Sequence, residues 1–112
     1  MKQTKTKAPK PPKAFQQFSA RYPRLAQAWD LIHEAGKDGP LDEKTCRLVR
    51  LAAALGARQE GAVHSSVRKG LALGITAAEF EQVVALCAGS LGMPGAVAAF
   101  CQVHDVLDAP KR

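Results

Sequence analysis

The sequence predicts an all-α fold, with five long helices and a short N-terminal one packed around a core of Leu, Val and Ala. Three observations carry this. Apolar residues recur at spacings of three and four in successive segments, and Gly or Pro punctuates each segment. No stretch alternates apolar with polar as a half-buried strand would. Aromatic residues make up only 5% of the 112, so small side chains that suit close helix packing must fill the interior. A chain of this length supports one domain.

The elements follow in order. Residues 1–13 are rich in Lys, Pro and Thr without periodicity and read as a disordered tail. A helical domain is expected over 14–109. Phe15 and Phe18 suggest a short helix packed under the first long one. That long helix starts near Pro23, whose missing N–H costs nothing at a first helical position. Leu25, Ala28, Trp29 and Ile32 form its apolar face, and Gly36 is a plausible stop. After Gly39-Pro40, Asp42 is placed to cap the next helix. From Leu48 to Ala57 this helix is apolar on nearly every side apart from Arg50, which predicts burial all round, partly by a second subunit.

Gly56 ends that helix, and another covers about residues 59–72, with Ala62, Val63, Ser66, Val67, Gly70 and Leu71 on its inner side. Glu60, His64 and Arg68, four apart, make a polar stripe. Gly74 supplies a left-handed stop, and Thr76-Ala-Ala-Glu79 is a capping box. The helix it opens carries Phe80, Val83, Val84, Cys87 and Leu91 toward the core. Gly92-Met-Pro94 restarts the chain. The last helix sets Val97, Cys101 and His104 on one side, with Phe100, Val103 and Leu107 beside them.

The net charge of +6 belongs to the tail, where Lys2, Lys5, Lys7, Lys10 and Lys13 stand without an acid. The remaining body is near neutral, so nucleic acid is not an expected partner of the folded surface. Cys46, Cys87 and Cys101 match no zinc spacing and read as free, buried thiols of a reducing compartment, with no metal and no cofactor implied. No run of about 18 apolar residues is found, so no membrane span is expected. No secretory or transit signal is found either, and a cytoplasmic protein is expected.

Four landmarks recur in an order that resembles the carboxymuconolactone decarboxylase and alkylhydroperoxidase D superfamily. Leu41-Asp-x-Lys-Thr45 opens an apolar helix, Gly61-Ala-Val-His-Ser-x-x-Arg68 follows, then come Gly74-x-Thr-x-x-Glu79 and Leu91-Gly-Met-Pro94. The resemblance covers about residues 15–108 and implies a small all-helical protein that assembles into trimers or hexamers. The peroxidase branch uses a Glu, a Cys-x-x-Cys pair and a His, which meet on one helix side so that a proton relay activates a thiolate. Aligned on Thr45 and Gly74, those positions fall on Arg47, Gln59, Ala62 and Ser66. None carries that chemistry, and no cysteine lies between Cys46 and Cys87. Peroxiredoxin-type activity is therefore not expected.

The decarboxylase branch commonly keeps a His where Ser66 stands; His64 matches other members two residues earlier. His64 is thus the candidate acid/base residue, against the plain reading of a helix histidine paired with Glu60. Arg47, Gln59 and Ser66 are the candidate ligand-binding set. Arg47 would anchor a small carboxylate or lactone-type ligand, unless it is simply ion-paired. His33 and His104 read as ordinary helix-face residues. Three functions compete: an enzyme acting on such a ligand, a non-catalytic oligomeric binding or structural module of the same fold, and a binder of anionic surfaces or nucleic acid through the Lys-rich tail.

Overall fold

The computed structural model describes residues 12–110, so the readings of the tail at 1–11 lie outside the described residues. Its five helices are α1 (Lys13–Arg21), α2 (Pro23–Ala35), α3 (Glu43–Gly56), α4 (Glu60–Ala72) and α5 (Ala77–Leu107). No strand occurs among the described residues. Lys13, which the sequence places in the tail, is the first residue of α1.

The helix boundaries have local causes. Asp42 caps α3 by accepting the Thr45 N–H at 2.8 Å. Thr76 caps α5 by accepting the Glu79 N–H at 3.1 Å, while Glu79 Oε1 accepts the Thr76 N–H at 2.9 Å. Gly74, at φ 85°, reverses the chain after α4 in a conformation that disfavours residues with a Cβ.

A second such glycine, Gly92 (φ 78°, ψ 161°), interrupts α5 and makes it two helical segments. The segments run back along each other, because His104 Nε2 meets Glu81 Oε2 at 2.7 Å across 23 positions of sequence. Counted this way, α5 supplies the last two of the five long helices, and α1 is the short one.

The same reversal bears on the membrane expectation. By length and composition α5 qualifies as a membrane span, with a mean hydropathy of 1.8 over an 18-residue window. Its apolar residues form no continuous run, because Gly, Ser and Gln are scattered among them. With the chain reversing at Gly92, neither segment reaches the roughly 20 residues that a bilayer core requires.

Helices α3, α4 and α5 pack against one another around Phe80, Leu51, Val63, Val67 and Val103, all fully buried. Gly70 fixes the closest approach. A Cβ at that position would lie 2.7 Å from the Phe80 ring and 3.2 Å from Ile75.

The α1–α2 hairpin is different, since neither helix buries a single residue. The predicted apolar face of α2 is uncovered, with Trp29 47% and Ile32 61% exposed. One link to the core is Arg50 of α3, whose Nη2 donates to the His33 carbonyl at 3.4 Å. Placed at the C-terminal end of α2, that cation also faces the negative end of the helix dipole.

Within one chain, helix α3 buries Leu51, Ala54 and Leu55 and leaves Val49 54% exposed. The last segment of α5 turns Ala96, Ala99 and Val103 inward and leaves Val97, Phe100 and Cys101 outside. The inward face is thus one position off the predicted Val97–Cys101 line. Cys46 and Cys87 are half-buried.

Two substitutions test this packing through urea unfolding. Gly70→Ala forces the buried Phe80 ring to move and should lower stability by about 1–3 kcal/mol. Gly89→Ala, where an added Cβ meets nothing within 4 Å, should instead raise it by about 0.5–1 kcal/mol, since Ala loses less backbone entropy in a helix.

His104 gives a pH test. Its bonds to Glu81 and then Asp108 raise its affinity for a proton above the ordinary value. The stability it contributes is therefore complete below about pH 6.5 and is lost as pH rises through its raised folded value. His104→Gln should remove that part of the pH dependence of the unfolding midpoint.

Candidate functional site

A cleft of about 860 Å³ opens where the α1–α2 hairpin faces α3 and α4. Helical spacing explains its lining. On α2, Trp29, Ile32, His33 and Gly36 share one side; on α3, Arg47 and Arg50 stand three apart. On α4, Ala62, Ser65, Ser66 and Lys69 follow the same wall, joined by Gly61 and Arg68, and Phe15 of α1 closes the apolar side.

Four cationic side chains therefore line the cleft, and no Asp or Glu does. Among the described residues none of the four is in a salt bridge; those found involve Lys44, His64 and His104. Partial burial and neighbouring like charges both disfavour the protonated form. Arg47 is accordingly shifted down from its ordinary value by burial and then by the Arg50 charge. Lys69 is shifted down by burial and then by Arg47, Arg68 and Arg50.

His33 is shifted down as well, first by burial and then by Lys69, Arg50 and Arg47, against a smaller opposing pull from Asp30. Its Nε2 is enclosed and has no hydrogen-bond partner, and its ring meets Trp29 edge-on with centroids 4.6 Å apart.

Of the residues singled out from sequence, the structure brings Arg47 and Ser66 together here, with Ala62 one helical turn before Ser66 on the α4 wall. Gln59 does not line the cleft. It is the N-cap residue of α4, and its carbonyl accepts the Val63 N–H at 2.9 Å.

His64 does not line it either. It turns toward α5, where Nε2 meets Asp105 Oδ2 at 3.0 Å, and Glu60 of its own helix brings Oε2 within 3.9 Å. The donor atoms of Glu60, His64 and Asp105 all lie within 4.8 Å of one another, close enough to hold a metal ion, although their mutual pairing already accounts for the arrangement.

Sequence reasoning missed Arg50, Lys69, Trp29 and His33 as parts of one site. Signals were present. Arg50 follows Arg47 by three on an apolar helix, Lys69 follows Ser66 by three, and His33 follows Trp29 by four. What sequence lacked was the facing of α2 against α3 and α4.

A second, shallower cleft of about 390 Å³ lies between α3 and the first half of α5, lined by apolar residues including Val49 and Leu86.

Fold and site together define a small helical protein with an acid-free, cationic cleft at its two central helices, where the superfamily it resembles keeps its reactive groups. The sequence model of the Carboxymuconolactone decarboxylase family matches residues 23–105, and the chain belongs to that family. The match begins at Pro23, the first residue of α2, and runs into the last turn of α5, leaving α1 outside. No curated protein and no solved structure matches the chain significantly.

An NMR titration of the histidines checks the electrostatics of the cleft. His33 should titrate below the ordinary 6.5 and His104 above it. Replacing Arg47 with Gln should move His33 upward and leave His104 in place.

Proposed function

We propose that this family member takes a small carboxylate- or lactone-type ligand into the cleft, with Arg47 as the anion anchor, and that it works as a homo-oligomer. The observation that carries the ligand reading is the set of four cations without an acid in one cleft. A bound carboxylate would supply the missing counter-charge, and a guanidinium offers it paired hydrogen bonds. The apolar wall of Phe15, Trp29 and Ile32 suits the carbon skeleton of such a ligand. In this reading His64 ties α4 to α5 and is not part of the ligand site.

A second reading, a binding module without turnover, draws on the residues at the superfamily's reactive positions. Arg47, Gln59, Ala62 and Ser66 include no thiol and no imidazole.

Support for assembly comes from the apolar surface of the single chain. Outside the cleft, Leu31 on the hairpin and Leu86, Met93 and Val97 on α5 are all exposed, more than an isolated domain normally leaves to water.

Titration calorimetry with a series of short mono- and dicarboxylates tests the ligand site. Arg47→Gln should weaken binding roughly tenfold or more, the cost of one charged hydrogen-bond partner. Equal affinity in the two proteins would refute the assignment. Light scattering tests assembly, with a trimer or hexamer of the 11.9 kDa chain expected. Leu86→Glu should shift that population toward monomer.

A further inference from the structure

Glu60, His64 and Asp105 form a second charged group, apart from the cleft, where α4 meets the second segment of α5. Glu60 and His64 stand four apart on α4 and so share one side of it. Asp105 comes from the last turn of α5. Mutual pairing gathers the three groups without balancing them. His64 Nε2 carries at most one proton, and Asp105 Oδ2, at 3.0 Å, is the partner that can share it. Glu60 Oε2 approaches the same nitrogen at 3.9 Å, beyond hydrogen-bond distance. His104 is the contrast, because its two carboxylates, Glu81 and Asp108, each take a separate ring nitrogen.

Neither Glu60 nor Asp105 is in a salt bridge with a Lys or Arg among the described residues. Asp105 also lies at the helix end where the dipole favours a cation. Negative charge is therefore in excess here whether or not the imidazole is protonated. The frame that holds the three is rigid, since Val63, next to His64, and Val103, two before Asp105, are fully buried in the core. The three donor atoms lie within 4.8 Å of one another. Donors on a tetrahedral zinc ion, at bonds of about 2.0–2.2 Å, stand roughly 3.3–3.6 Å apart, a spacing that small rotations of the two exposed carboxylates can reach. An imidazole in the set favours a transition ion over calcium or magnesium.

We propose that Glu60, His64 and Asp105 bind one divalent transition-metal ion, of which zinc is the type, and that the ion cross-links α4 to α5 at a site separate from the cleft. His64 binds through Nε2 as the neutral imidazole, with its ring proton on Nδ1. Glu60 and Asp105 each give one oxygen and together cancel the charge of the ion. Both carboxylates are exposed, so water completes the coordination. The ion binds the folded chain in preference to the unfolded one and raises its unfolding temperature.

The experiment adds Zn2+ to the metal-free full-length chain, follows the histidine ring nitrogens by NMR and measures binding by calorimetry. The expected result is one ion per chain, with His64 Nε2 moving most among the ring nitrogens, and an unfolding temperature that rises with zinc and falls back with EDTA. His64→Gln and Asp105→Asn should each weaken binding by at least what the loss of an outer partner of a metal ligand costs, roughly tenfold. Co2+ is the second probe, and weak visible bands of nitrogen and oxygen ligation are expected. An intense near-ultraviolet thiolate band would place the ion at Cys46, Cys87 or Cys101 and overturn the assignment. A largest shift at His33 or His104, equal affinity in His64→Gln, or no binding at all would overturn it too. The NMR result in the unaltered protein stands even if a variant fails to fold.

Discussion

The distance between α4 and α5 governs the rest of the structure, and it is set where the Phe80 ring lies on the backbone of Gly70. Phe80 is among the largest fully buried side chains, and Val63, Val67 and Val103 are buried around it. The other aromatic rings, Phe15, Phe18, Tyr22, Trp29 and Phe100, are exposed, so Phe80 is the one large ring in this core. The helices meet closely at a residue without a side chain. That contact also determines where α4 stands relative to α3, and hence where Ser66 and Lys69 stand relative to Arg47 and Arg50. The cleft thus inherits its shape from a packing contact on the opposite side of α4.

Against that well-filled core, the cleft looks poorly optimised for stability alone. Arg47, Arg50, Arg68 and Lys69 repel one another without a carboxylate between them, and the enclosed His33 Nε2 lacks a partner. Elsewhere the same chain pairs its ionic groups readily, at Lys44–Glu79, His64–Asp105 and His104–Glu81. Unrelieved charge confined to one concave region is the pattern expected where a fold gives up stability for binding.

Local rules made most of the fold legible in the sequence. The Asp42 cap, the Thr76–Glu79 box and the glycine stops at Gly74 and Gly92 depend on a few neighbouring residues, and all four stand in the structure. The site was only half legible. Arg47 and Ser66 were marked by their register in the superfamily pattern, whereas Arg50, Lys69 and His33 belong to the cleft through tertiary placement alone. His64 shows the converse. Its spacing to Glu60 was visible, but its stronger partner, Asp105, lies 41 residues away. Periodicity specifies which residues share a face but not what covers it, so the exposure of the α2 face and of Val49 on α3 within a single chain was not legible.

The α1–α2 hairpin carries one wall of the cleft without burying a residue of its own. Its hold on the core therefore has little free energy behind it, and the complete cleft is one member of a docked–undocked equilibrium. Only the docked member presents Trp29 and His33 together with Arg47 and Lys69, so the apparent affinity for any ligand that needs both walls is scaled by the docked fraction. A neighbouring subunit that covered Leu31 or the outer side of the hairpin would raise that fraction without touching the ligand. Assembly and ligand affinity would then be linked through a helix pair, and dilution alone would weaken binding.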